Sequence, residues 1–115
     1  YPLGFIIAPI IKYDGWREGY RRLLEKLHDR LKDVPLNDLT FELIQHRFTK
    51  TAKNTILRRY PKTKLEMDEN ERRVKWGRYG KFKYVYPEET VEQFRELFEN
   101  GIRAFFPQAE IAYFV

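Results

Sequence analysis

The chain has 115 residues and a net charge of +5, with 34% charged residues, 17% aromatic residues and no cysteine. That length holds one domain or a part of one, and the aromatic share excludes a disordered chain, which lacks the apolar groups a core needs. Without cysteine there are no disulfides, thiolate nucleophiles or sulfur-ligated metals within these residues, and no apolar run approaches the roughly 20 residues of a membrane helix. The opening residues have neither the basic start nor the cleavage site of a secretory signal, so the expectation is a cytoplasmic protein with no membrane partner. The chain opens on Tyr1 and runs at once into an apolar segment, which reads as a piece of something longer.

The charge is local. Residues 1–49 carry a net +1, residues 50–83 a net +8 and residues 84–115 a net −4. A basic block beside near-neutral surroundings is the footprint of a polyanion partner. A lysine-rich solvated surface is the plainer alternative.

In chain order, the apolar run from Phe5 to Ile11 predicts a strand covered on both faces, as in a parallel α/β sheet. Pro9 is tolerable at its C-terminal end, where α/β folds bind ligands. There the small Ala8 either lets a ligand ring approach the backbone or simply packs. Asp14 is a candidate N-cap for a helix with Trp16, Tyr20, Leu23, Leu24, Leu27 and Leu31 at helical spacing. His28 on this helix reads as structural. The stretch from Leu39 to Ile44 predicts the next strand, and His46 and Arg47 at its end are either ligand groups or an ordinary strand-end pair. Thr49 would cap a helix carrying Ala52, Ile56, Leu57 and Tyr60, ended by Pro61. Strand, helix, strand, helix implies parallel βα units.

Glu66, Asp68, Glu69 and Glu71 form an acidic patch inside the basic block. No motif spacing supports a metal site there, and a charge-balancing loop fits better. From Arg72 to Tyr86 the period becomes two. Val74, Trp76, Phe82, Tyr84 and Tyr86 share one face, to be packed on the body. Arg73, Lys75, Lys81 and Lys83 share the other, within reach of phosphates. Gly77 and Gly80 bracket Arg78 and Tyr79, which predicts a hairpin with an Arg-Tyr tip. Such a tip suits nucleic acid: an arginine can enter a groove and a tyrosine can stack on a base, worth about 1–3 kcal/mol. The plainer alternative is a solvated hairpin whose lysines protect an exposed edge. Beyond it, Pro87, Glu88 and Glu89 open a helix with a stripe of Val91, Phe94, Phe98, Ile102 and Phe105, and Ile111 to Val115 predicts a final strand.

Three segments together carry a family resemblance: His46-Arg47-Phe48-Thr49, the run from Tyr60 to Asp68 (YPKTKLEMD), and the run from Lys83 to Pro87 (KYVYP). With Phe5 to Pro9 followed by Asp14, Gly15 and Trp16, the chain resembles the C-terminal part of the spore photoproduct lyase family over nearly all its length. The resemblance implies a radical S-adenosylmethionine enzyme that repairs the ultraviolet thymine dimer of DNA, with a 4Fe–4S cluster on a cysteine triad. It implies the last part of a partial (β/α) barrel with an added β-hairpin and a C-terminal helix. Residues 1–71 would be the last βα units, 72–86 the DNA-contacting hairpin, and 87–115 the closing helix and final strand. Arg78 and Tyr79, with Trp76 beside them, would read the lesion; Lys81 and Lys83 would sit near the DNA backbone. Ala8 would lie against S-adenosylmethionine, and His46 and Arg47 would line the barrel mouth. The missing cysteines mean that the cluster ligands and a cysteine hydrogen donor would belong to an upstream part of the same polypeptide, so no catalytic residue is expected in this stretch. The alternatives are a non-enzymatic nucleic-acid-binding module using the same hairpin and, more weakly, a related lyase with another substrate.

Overall fold

The structure is a computed structural model that describes residues 3–35, 38–77 and 82–115. Three parallel strands make the main sheet: β1 (Leu3–Ile10), β2 (Leu39–Gln45) and β5 (Glu110–Phe114), in the order β1-β2-β5. Helices α1 (Trp16–Leu31), α2 (Lys50–Arg59) and α3 (Glu88–Phe105) and an antiparallel pair, β3 (Arg73–Trp76) with β4 (Phe82–Val85), complete the described elements. The parallel pairing expected from the alternating elements is present, with Phe5 beside Phe41 and Ile7 beside Leu43.

Alternation along β2 fixes which face is inside. Leu39, Phe41, Leu43 and Gln45 are buried, while Thr40, Glu42 and Ile44 between them are half-buried. Strand residues point to opposite faces with period two, so one sheet face carries the core. Against it pack Trp16 and Leu24 of α1 and Phe94, Phe98 and Ile102 of α3. The two helices meet closely, edge-on through Trp16 and Phe94 at 4.8 Å between ring centroids and through the tilted rings of Tyr20 and Phe98 at 5.3 Å. Gly101 makes that approach possible: a Cβ there would stand 2.6 Å from Cδ1 of the fully buried Leu24.

The opposite sheet face is bare. Gly4, Ile6 and Ala8 of β1 are exposed, Ile6 by 67%, and Tyr113 of β5 beside Glu42 is also exposed. The expectation that β1 is covered on both faces therefore fails for this chain: its apolar run is continuous, but only one side meets described residues. The helix after β2 shows the same pattern. Thr49 does cap α2, its hydroxyl accepting from the Ala52 amide at 3.1 Å, yet no α2 residue is buried and Leu57 and Tyr60 face solvent.

The start of α1 also differs from expectation. Its N-cap is Gly15, at φ +87°, and not Asp14, and no side chain caps it. A left-handed backbone there suits only glycine without strain. The loop before it is held instead by two tyrosines: Tyr20 Oη accepts from the Ile11 amide at 2.7 Å and Tyr86 Oη from the Lys12 amide at 2.8 Å. Burial pushes both phenols above their ordinary pKa, so they stay protonated. His28 lies against the rings of Phe105 and Phe106, the structural place expected of it. No helix among the described residues is long and apolar enough to cross a membrane.

Candidate nucleic-acid interface at the root of the β3–β4 ribbon

Two cations of the basic block, Arg73 and Lys75, line a cleft at the C-terminal end of β2. β3 and β4 pair antiparallel with Val74 opposite Tyr84, Lys75 opposite Lys83 and Trp76 opposite Phe82. Among the described paired residues, the two faces read from the alternation are the two faces present. Their packing is not as expected. All of β3 is exposed, Trp76 by 69% and Val74 by 44%, so these side chains do not bury themselves on the body. Trp76 instead meets Phe82, at 5.2 Å, and Phe82 meets Tyr84, at 5.5 Å. Tyr84 stacks on Phe48 at 5.1 Å, and Phe48 on His46 at 6.1 Å. An aromatic row thus runs from the outer end of the ribbon to the end of β2. Backbone bonds between Phe48 and Tyr84 in both directions, at 3.1 and 2.7 Å, fasten it.

The root is locked by Arg72. Its side chain is fully buried. The guanidinium donates to Glu66 Oε2 from Nε at 3.1 Å and from Nη2 at 2.8 Å, to the Glu66 carbonyl at 3.0 Å, and to the His46 carbonyl at 3.2 Å. It also lies over the Tyr86 ring at 3.8 Å and the Phe48 ring at 5.1 Å. A buried cation is tolerable only when paired and hydrogen-bonded, and here one carboxylate, two carbonyls and two π faces supply that. The sequence pointed to Arg72 only as the first residue of the alternating run. Its signal was an arginine six residues after Glu66 and just before a strand, which many surface pairs share.

His46 is tied to the same group. Arg72 Nη2 sits 3.1 Å from His46 Nδ1. A guanidinium has no lone pair to offer, so Nδ1 accepts and the imidazole proton resides on Nε2. Burial, then the adjacent Arg72, hold His46 below the ordinary histidine pKa, with Glu66 opposing weakly. The ring is neutral at pH 7, with its N–H on Nε2.

His46 and Arg47 do lie together at the end of β2, lining a cleft of about 490 Å³ with Arg73 and Lys75 of the ribbon and Arg95 of α3. Arg73 is not a free cation: it pairs with Glu88 at 2.8 Å, tying β3 to the start of α3. Lys83 stands on this face opposite Lys75. Arg78, Tyr79 and Lys81 lie outside the described residues. Ala8 is exposed at the C-terminal end of β1, on the bare sheet face. The acidic patch acts as a charge balance: Glu66 holds Arg72, Glu69 meets Lys53 at 3.8 Å, and Asp68 caps the short turn Glu69–Glu71. Among the described residues no three His, Asp or Glu side chains gather as metal ligands.

The spore photoproduct lyase family model matches residues 1–115. The chain is 58% identical to spore photoproduct lyase of Bacillus subtilis (strain 168) over 99% of its own length and 33% of that protein. It is 43% identical to that of Clostridium acetobutylicum over 100% of its length and 33% of that protein. A solved structure of a spore photoproduct lyase variant with bound AdoMet and dinucleoside spore photoproduct superposes with a TM-score of 0.95 at 50% identity, covering all of this chain and 34% of that one. Another, complexed with dinucleoside spore photoproduct, gives 0.94 over 98% and 33%. The chain spans about a third of the length of the relatives it matches. It belongs to the spore photoproduct lyase family.

Proposed function

We propose that this chain is the C-terminal third of a radical S-adenosylmethionine lyase that reverses spore photoproduct in DNA, and that it supplies lesion recognition and the last strands of a partial barrel. The observation that carries this is the 58% identity to a spore photoproduct lyase over 99% of the chain. The bare sheet face supports the barrel: a parallel sheet is ordinarily covered on both sides, and the missing cover belongs to the other two thirds of the polypeptide. S-adenosylmethionine, when bound, supplies the radical chemistry. On this chain only Ala8 is assigned to it, a small side chain exposed on that face, where a ligand can approach the backbone. The 4Fe–4S cluster takes its ligands upstream, since this chain has no cysteine.

The β3–β4 ribbon is the DNA-contacting element. Its described outer end includes exposed Trp76, and Arg78 and Tyr79 follow it in the sequence. Taking a damaged step out of the stack costs a few kcal/mol, and a side chain inserted into the gap compensates part of that. In the full-length protein, Arg78→Ala weakens binding to lesion-containing duplex more than to intact duplex. Equal losses on the two duplexes would reduce Arg78 to a general phosphate contact.

A further inference from the structure

The cleft at the root of the ribbon has a charge pattern that its own fold does not resolve. Lys75 and Lys83 are direct cross-strand partners. Like charges in that position destabilise a strand pair. Two of the cleft's other cations are answered internally, Arg73 by Glu88 and Arg95 by Glu92. Among the described residues no carboxylate pairs with Arg47, Lys75 or Lys83. The same cleft is lined by His46, whose proton Arg72 fixes on Nε2. Two unanswered lysines, an arginine and one neutral N–H donor make a site for a group that only accepts hydrogen bonds and carries negative charge. A phosphodiester has that chemistry.

We propose that this cleft holds a backbone phosphodiester of the DNA strand running away from the lesion, with Arg47 and Lys75 of its lining, and Lys83 on the strand beside Lys75, as its cations and His46 Nε2 as a neutral donor. The proposal rests on the DNA-repair function above and adds to it a place where the duplex is gripped, at the root of the ribbon as well as at its tip. The wall opposite the lysines is the end of β2, held to the ribbon through Arg72. The grip and the orientation of the ribbon are therefore set by the same residues.

The test uses the full-length protein with three ligands: a lesion-containing duplex, the dinucleoside spore photoproduct, which lacks flanking phosphates, and inorganic phosphate as competitor at constant ionic strength. For the Lys75→Ala/Lys83→Ala variant, the slope of log K against log salt on duplex falls by about 0.9 for each phosphate that is no longer neutralised. Its fold-loss in affinity on duplex exceeds that on the dinucleoside, and inorganic phosphate at ordinary buffer concentrations competes poorly with duplex. His46→Gln, which keeps a neutral N–H donor, retains more duplex affinity than His46→Phe. An unchanged slope, equal losses on duplex and dinucleoside, or strong competition by inorganic phosphate would overturn the proposal. A variant that fails to fold is replaced by single Lys75→Gln, read on the same slope. Failure of the repair function looks different: the unsubstituted protein would bind lesion-containing and intact duplex alike and leave the lesion unrepaired, while the slope change at Lys75 and Lys83 persists.

Discussion

Arg72 is the residue on which the site turns. It is fully buried and ion-paired to a Glu66 side chain that remains 33% exposed. Removing one partner of a buried pair leaves an uncompensated charge and typically costs 3–5 kcal/mol. Because Glu66 can still be hydrated, Arg72→Ala should fall at the low end, about 3 kcal/mol. Arg72→Lys keeps the charge but cannot make the forked bonds to Glu66 and His46 together, so it should recover only part of that loss. Chemical denaturation of the full-length variants checks both; a Lys variant as stable as the parent would show that charge alone suffices. His46 gives a pH prediction. Its pKa is lowered in the folded protein, so the unfolded state binds more protons in the interval between the folded value and the ordinary value near 6.5. Stability from this group is complete above about 6.5 and declines as pH falls through that interval toward the folded pKa. Titration of the imidazole by NMR should place it below an ordinary histidine, and His46→Gln should lose less stability than the parent between neutral pH and the carboxylate range. A midpoint above the ordinary value would contradict the Arg72 contact. Neither residue's role was legible beforehand. His46 stood out by its place at a strand end, but its neutral state depends on an arginine 26 positions away, and no local pattern reports that.

At the scale of elements, period and capping carried most of the information. The stripe of α3 buries Phe94, Phe98 and Ile102 because residues three and four apart share a helix face. The period-two run set the ribbon's register for the same reason in a strand. What alternation cannot say is whether a face has anything to pack on. Val74 and Trp76 share a face with Tyr84, yet only the end of the ribbon near Tyr84 and Phe48 touches the body. Asp14 fits an N-cap by type, but Gly15 in a left-handed conformation places the helix start one residue later. That glycine yields a prediction. Nothing lies within 4 Å of a Cβ built at Gly15, so Gly15→Ala meets only backbone strain, about 1 kcal/mol. Thermal unfolding should register a small loss. A neutral or stabilising result would mean that the β1–α1 loop relaxes to another conformation despite its bonds to Tyr20 and Tyr86.

At the scale of the molecule, the sheet has one finished side and one unfinished side. The finished side closes over α1 and α3 with aromatic packing and no buried polar side-chain atom left unpartnered among the described residues. The unfinished side exposes Ile6 and Tyr113, and α2 exposes Leu57 and Tyr60. Exposed apolar patches of this kind mark surfaces that another part of a protein covers. The continuous apolar run of β1 reads as a two-sided strand, and among the described residues only one of its sides is packed. The relatives are about three times as long, which leaves ample polypeptide to cover the other. β1 also ends the sheet, its far edge unpaired within the described residues, and an unpaired edge recruits another strand. Hydrogen exchange tests the idea. In the full-length protein the β1 amides that point away from β2 should be protected as strongly as those of β2. In the 115-residue piece alone they should exchange rapidly, and the piece should self-associate through the bare face and edge. A monomeric piece with β1 protected as in the full-length protein would show that this unit is complete without its upstream cover.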